Sequence, residues 1–334
     1  MTAEREIRWG IVGPGRIAGK VMGDFEHVPG ARPVAVASRS RERAEAFAAE
    51  HQLERSYGSY AELIDDDEVD VLYIATPHPQ HQAVAVKALE AGRAVLVEKT
   101  FTATVPGAEV IIDTARAAGV FAMEAMWTRF QPAIVAVRDL IADGAIGEVR
   151  QVQADLGVNQ PFDPEDRLFD PLLGGGAMLD LGVYVVSFAQ HFLGNPSRVT
   201  ATGSLTPTEV DAEAGLLLSY DDGRVATLLV SIRHATPGAA RIHGTEGWID
   251  IRPRFHHPHT FVLTRTGKEP EEINRPQTGA GYAHELIEVT ECLQSGRTES
   301  AVMPLADTLA VQRILNEACE QLGVLHSEDM RVSG

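Results

Sequence analysis

Up to about residue 126, apolar and polar positions follow two alternating periods. Ile7-Arg8-Trp9-Gly10-Ile11-Val12 is a short apolar run interrupted by one glycine, the pattern of a strand buried on both faces. Residues 17–26 follow with helical spacing, 33–37 form a second apolar run, and 41–50 (RERAEAFAAE) are rich in helix formers. Residues 69–75, 94–97 and 120–123 are three further apolar runs. Helical stretches over 80–91 and 105–118 separate them, closed by Gly92 and Gly119, and glycine just past the last periodic residue is a stop signal. This alternation predicts a doubly wound parallel sheet, α/β in class.

Beyond residue 126 the pattern changes. Residues 132–143 read as one more helix, and 149–158 alternate apolar and polar positions as a half-buried strand does. Strands are expected over 198–205, 214–220, 225–233, around Ile242, and over 248–251. Asp221-Asp222-Gly223 is a hairpin turn between two of them, which makes those neighbours antiparallel. A helix is expected over 176–192, and two more over 283–294 and 306–322. The reading is a Rossmann-type domain over 1–126 and an α+β domain with a mostly antiparallel, open sheet over 127–334. Helices on one side of such a sheet leave a face to be covered, so a homodimer through that face is expected.

Composition narrows the function classes. A chain of 334 residues fits two domains at about 150 residues each. Hydrophobic residues make up 44% and charged residues 23%, which are globular values. Lys and Arg total 29 against 47 Asp and Glu, a net charge of −18. That surface repels phosphate backbones and anionic lipid, so neither nucleic acid nor membrane is an expected partner. An anionic ligand would need its own basic pocket. Two cysteines, Cys292 and Cys319, make no disulfide framework and fit a reducing compartment. The first residues lack a signal-peptide core, and no apolar run approaches the ~20 residues of a membrane span. A cytoplasmic protein is expected.

Five segments carry candidate chemistry. Gly13-Pro14-Gly15-Arg16-Ile17-Ala18 follows the first strand and opens a helix. Gly13 permits a tight turn, Gly15 lets backbone approach a pyrophosphate, and Ala18 allows close helix–sheet packing, so this is a dinucleotide-binding turn. The second strand ends Ala37-Ser38-Arg39-Ser40-Arg41, without the acid that binds an NAD ribose. Ser38 and Arg39, with Arg41 as a further donor, suit a 2′-phosphate, so NADP is expected above NAD. Thr76-Pro77-His78-Pro79-Gln80-His81 lies at the carboxyl edge of the sheet, with His81 expected to face the ligand crevice. Glu98-Lys99-Thr100 puts a lysine directly after a buried strand, which is costly unless it is paired or used. Finally, Gly174-Gly175-Gly176 leads into a helix in which Asp180 and Tyr184, four apart, share a face. A carboxylate, a phenol and a lysine form a plausible acid/base set. His256, His257 and His259 lie in a proline-rich loop without a nearby acid at ligand spacing and are set aside, so no metal is expected.

In order and spacing these segments resemble the glucose–fructose oxidoreductase / inositol dehydrogenase / MocA (Gfo/Idh/MocA) family over nearly the whole chain. Within it, residues 123–130 (MEAMWTRF) and 180–184 (DLGVY) are similar to the branch that oxidises trans-dihydrodiols and D-xylose. The resemblance implies an NADP-dependent dehydrogenase of sugar or cyclic-diol hydroxyls. It implies Lys99 as a catalytic residue, Tyr184 where many members have histidine, and His81 and Trp127 beside substrate or nicotinamide; Asp180 is expected to orient the Lys99–Tyr184 pair. It implies cofactor contacts along Gly13, Gly15, Arg16, Ile17, Ala18, Ser38, Arg39, Thr76, Pro77, His78, His81, Glu98 and Lys99. The family usually has proline where Thr100 stands, so Lys99 is expected to be held less rigidly here. Two rivals share the fold: a glycosidase that retains NAD, and a non-catalytic NADP-binding sensor.

Overall fold

The structure is a computed structural model and describes residues 5–330. Two compact units divide it. The first takes the chain up to Met126, Thr278–Leu309 and the described residues from Ser327 on; the second takes Trp127–Gln277 and Ala310–His326.

The first unit begins with β1 (Ile7–Val12), α1 (Arg16–Met22), β2 (Ala31–Ala37) and α2 (Arg41–His51). It continues with β3 (Arg55–Tyr57), α3 (Tyr60–Ile64), β4 (Val71–Ile74) and α4 (His81–Glu90), then β5 (Ala94–Glu98), α5 (Val105–Ala118) and β6 (Ala122–Ala125). All six strands are parallel, in the order β3-β2-β1-β4-β5-β6. The order reverses between β1 and β4, which is where doubly wound sheets open a crevice for ligand. Strands β4 and β5 are buried throughout, as near-continuous apolar runs in a two-faced sheet should be. Helix α5 is bounded as its sequence dictates: Thr104 accepts from the Gly107 N–H at its start, and Gly119 adopts a left-handed conformation at its end.

The second unit holds α6 (Pro132–Ala142), β7 (Val149–Gly157), α7 (Val183–Leu193), β8 (Arg198–Leu205), β9 (Asp211–Ser219) and β10 (Val225–Ser231). Strands β11 (Ala240–Gly244), β12 (Gly247–Ile251), β13 (Thr260–Arg265) and β14 (Glu271–Asn274) complete an eight-stranded sheet, ordered β14-β13-β12-β11-β7-β10-β9-β8. The β7–β10 pair is parallel and every other pair is antiparallel. Gly223 takes the left-handed conformation that the β9–β10 hairpin needs. Helix α7 packs on β7 and β10, and the opposite face carries Leu217, Leu229 and Trp248 at 42%, 57% and 37% exposure.

Four sequence expectations change. The helix expected over 17–26 stops at Met22 and is followed by a 3-10 turn at Phe25–His27. The short elements β3, α3, β13 and β14 are additional. The stretch after 127 is not one domain: α8 (Ala283–Gln294) lies in the first unit, because buried Asp24 accepts the N–H groups of Ala280, Tyr282 and Ala283 at 2.7, 2.7 and 3.0 Å. Helix α9 (Leu305–Leu322) gives its first residues to that unit and the remainder to the second. Lastly, the stretch Pro171–Leu193, which ends in α7, is 23 residues long and by length and composition apolar enough to cross a membrane, so a run of that length does exist. Its apolar window is 83% buried within the protein, as expected of a core helix.

Candidate active site

In the first unit the glycine turn stands where β1 passes into α1. Gly13 has φ +90°, and a Cβ there would lie 3.1 Å from the Ala75 carbonyl oxygen, so only glycine lets this turn pass so close to the end of β4. A Cβ on Gly15 would meet nothing within 4 Å, which leaves open space at the start of α1. Arg16 is exposed, Ile17 half-buried and Ala18 fully buried. At the end of β2, buried Ser38 accepts from the Ser40 N–H at 3.2 Å, while Arg39 is exposed. Burial pushes the Tyr60 hydroxyl up, with Arg39 and Arg43 pulling the other way. Arg41 is turned to Glu62, at 3.2 Å, and so is not the expected phosphate donor. Arg43, in the first turn of α2, donates to the Pro14 carbonyl at 3.4 Å. It is a cation at the glycine turn that the sequence reading missed; its place in the first turn of α2, soon after Arg39, was the available signal. Open space at Gly15, with Arg43 reaching the glycine turn and exposed Arg39 at the end of β2, fits a dinucleotide with a 2′-phosphate.

After β4, Thr76, His78 and Gln80 are buried and Pro77 is half-buried. His81 departs from expectation. It is fully buried, with Nε2 2.7 Å from the Thr76 carbonyl oxygen and Nδ1 3.0 and 3.2 Å from those of Thr100 and Phe101. Burial lowers its imidazole to about 4, against the opposing pull of those three carbonyls. His81 therefore fastens the loop after β4 to the loop after β5 and presents no surface to a ligand. Half-buried Lys99 follows β5. Its N–H donates to Glu98 at 3.2 Å, and Glu98 also accepts from the buried Tyr73 hydroxyl. The Lys99–Thr100 peptide is cis. Thr100 is buried with its carbonyl at His81, and the Phe101 N–H donates to buried Glu124 at 3.1 Å. These bonds hold the flank that lacks proline, so the looser lysine segment expected from Thr100 is not what the hydrogen bonding describes.

In the second unit the three glycines lead into a π-turn over Met178–Gly182, with α7 continuing from it. Gly182 closes the turn against Met178: a Cβ there would stand 2.7 Å from Met178 Sδ, so that side chain would have to shift. Single π-turns are frequent at functional sites, and this one replaces the plain helical spacing assumed between Asp180 and Tyr184. The Asp211 carboxylate on β9 accepts the Met178 N–H at 2.6 Å, and burial raises it to about 6. Arg167 donates to Asp180 at 2.8 Å, a partner the sequence reading did not supply. Buried Tyr184 accepts a hydrogen bond at its hydroxyl oxygen from Trp127 Nε1, at 3.1 Å. Trp127 lies in a 3-10 turn that fully buried Arg129 holds to α7, donating to Ser187 at 3.3 Å and Gln190 at 2.6 Å. His256 packs on Tyr184 with ring centroids 5.0 Å apart, and His257 stacks on Trp127 at 5.3 Å and 27°. These histidines, set aside as loop residues, belong to the Tyr184 cluster; only tertiary packing reveals it. Separately, ligand atoms of Asp211, Cys319 and His326 lie within 4.8 Å of one another.

Known proteins match along the whole chain. Residues 7–126 match the model of an oxidoreductase family with an NAD-binding Rossmann fold, and residues 134–250 match the GFO/IDH/MocA C-terminal domain. Trans-1,2-dihydrobenzene-1,2-diol dehydrogenase of Mus musculus is 36% identical over 334 residues, covering 97% of this chain and 99% of its own. The human enzyme of that name is 35% identical over 335 residues, with the same coverage. Among solved structures, aldose–aldose oxidoreductase from Caulobacter crescentus superposes with a TM-score of 0.86 at 25% identity, covering 96% of this chain and 98% of its own. A 3-ketoreductase from Actinomadura kijaniata, in complex with NADP and TDP-benzene, gives 0.83 at 26%, covering 97% and 99%. With both family domains matched in series and relatives covered end to end, the chain belongs to the Gfo/Idh/MocA family of oxidoreductases.

Proposed function

We propose that this protein is an NADP-dependent dehydrogenase that transfers a hydride between the nicotinamide and a CH–OH carbon of an aldose or a cyclic trans-diol. The observation that carries this reading is the buried Tyr184 hydroxyl fixed by Trp127, in a chain whose dihydrodiol dehydrogenase relatives match it throughout. When bound, the nicotinamide supplies the two-electron acceptor. Oxidation of a secondary alcohol also releases the hydroxyl proton, and a residue must take it. A free phenol, with pKa about 10, is a poor acceptor at neutral pH. Trp127 Nε1 donates to the Tyr184 hydroxyl oxygen and fixes its position. Tyr184 is the proposed proton acceptor, and Lys99 supplies positive charge to the developing alkoxide. Asp180, paired with Arg167, is the proposed orienting carboxylate.

NADP is favoured above NAD by Arg39 and by the lack of an acid at the end of β2. Two further parts of the reading concern the molecule's setting. The open sheet face, with Leu217, Leu229 and Trp248, is proposed to bind a second copy of the chain. Two buried thiols outside any disulfide agree with a cytoplasmic location. The direct test is a panel of aldoses, polyols and trans-dihydrodiols with NADP, followed by NADPH absorbance. Reduction of NADP by an aldose or a dihydrodiol is expected. Tight NADP binding with no turnover of any member would overturn the reading.

A further inference from the structure

Helix α9 ends as its sequence dictates. Gly323 takes the left-handed conformation, φ +78°, and the Val324 N–H folds back to the Cys319 carbonyl at 2.9 Å. The chain therefore returns along the last turn of α9, and His326 comes beside Cys319. Asp211, the first residue of β9, completes the group. A carboxylate oxygen of Asp211, Cys319 Sγ and a ring nitrogen of His326 lie within 4.8 Å of one another. All three residues belong to the second unit. Asp211 is fully buried and Cys319 is 3% exposed. No ligand spacing in the sequence announces this group, because Asp211 lies on a strand far from α9 along the chain.

Buried polar atoms are ordinarily paired. Asp211 uses Oδ2 for the Met178 N–H at 2.6 Å, but its Oδ1 is buried without a hydrogen-bond partner, and so are both ring nitrogens of His326. A Cβ on Gly176, whose φ is +114°, would collide with Oδ1, so the glycine loop lies directly against the carboxylate. Three orphaned atoms beside a buried thiol call for a common partner. A thiolate, an imidazole and a carboxylate are donor types that zinc takes in tetrahedral sites, and three of them leave the fourth position to a water. Magnesium or calcium would take oxygen throughout. We propose that Asp211, Cys319 and His326 form a zinc site. Zinc takes the thiol as thiolate, so binding displaces the thiol proton to solvent. Bound there, the ion ties the end of α9 to β9 and, through the Asp211 bond to Met178, to the start of the π-turn that carries Asp180. Its ligands are distinct from Lys99, Asp180 and Tyr184, so the site stands or falls separately from the dehydrogenase reading.

The test uses the full chain, stripped with EDTA and kept reduced, with Zn²⁺ and Co²⁺ as probes. Co²⁺ should give the near-ultraviolet thiolate-to-cobalt band together with the visible bands of a tetrahedral ion, and Zn²⁺ should abolish both. Cys319→Ser should lose the thiolate band. His326→Gln should weaken zinc affinity by about a hundredfold, the upper end for loss of even an outer-shell partner. Cys292→Ser, at the other buried thiol, should leave the band unchanged. If wild type shows no thiolate band, the proposal fails, whether or not ions bind elsewhere on the surface. It fails equally if the band survives Cys319→Ser or disappears in Cys292→Ser. Should Cys319→Ser not fold, half-buried His326 carries the decision. An ion bound only by the native state raises its Tm, so zinc should raise the Tm of wild type and not that of His326→Gln at the same concentration. Equal rises in the two proteins would overturn the site.

Discussion

Arg39 and Arg43 show how one side chain can be read from sequence and its neighbour passed over. Arg39 follows directly from the missing acid at the end of β2. Arg43 needs the helix to be placed before its reach to the Pro14 carbonyl is visible. Arg41 lies between them and is turned to Glu62 instead. Charge-assisted bonds to a phosphate are worth about 1–3 kcal/mol each. Arg39→Ala should therefore lower kcat/KM for NADP by roughly that amount while leaving the NAD value nearly unchanged. Comparing the two ratios checks this, and equal losses with both cofactors would count against a 2′-phosphate site. Conversely, His81 looked like a ligand-facing residue because it opens a helix at the sheet's carboxyl edge. Nothing in the sequence says that three carbonyls from two loops close around it.

At the scale of elements, those His81 bonds make the join between the loops after β4 and β5 sensitive to acid. Its folded-state pKa lies below its unfolded value near 6.5, at about 4. The stability it confers is complete above 6.5 and is lost as pH falls through about 4. In His81→Asn the unfolding free energy should be lower at neutral pH, and its gap to wild type should narrow by roughly 3 kcal/mol between those pH values. Denaturant titrations along that range would show the gap closing; parallel curves would argue against it. Elements with strong local signals were legible: α5 has its Thr104 cap and Gly119 stop, and β1, β4 and β5 are apolar runs. Strand β14, with sequence EEIN, is a polar edge strand, and β3 spans three residues, so neither has a hydrophobic period to find. The π-turn at Asp180 was hidden for another reason, since Asp180 and Tyr184 keep a spacing that reads as plain α-helix in the sequence.

For the whole molecule, the sequence conveyed two domains but not the chain's return to the first. That return is written in single long-range bonds, such as Asp24 to the residues before α8, and hydrophobic periodicity carries no trace of them. The open sheet face is where a second copy of the chain is proposed to bind. Leu229→Asp, placed at its most exposed apolar position, should convert a dimer into a monomer in sedimentation at micromolar concentration, with secondary structure retained. A wild-type protein that sediments as a monomer would remove the proposed interface. Catalysis is tested most directly by single-turnover formation of NADPH with a substrate that the panel identifies, in wild type, Tyr184→Phe and Lys99→Met. Each substitution should slow the step by about 10²–10⁴, the range for loss of a proton-transfer group, with NADP affinity nearly unchanged. If Tyr184→Phe retains more than about a tenth of the wild-type rate, the hydroxyl proton does not pass through Tyr184 and the proposed chemistry is contradicted.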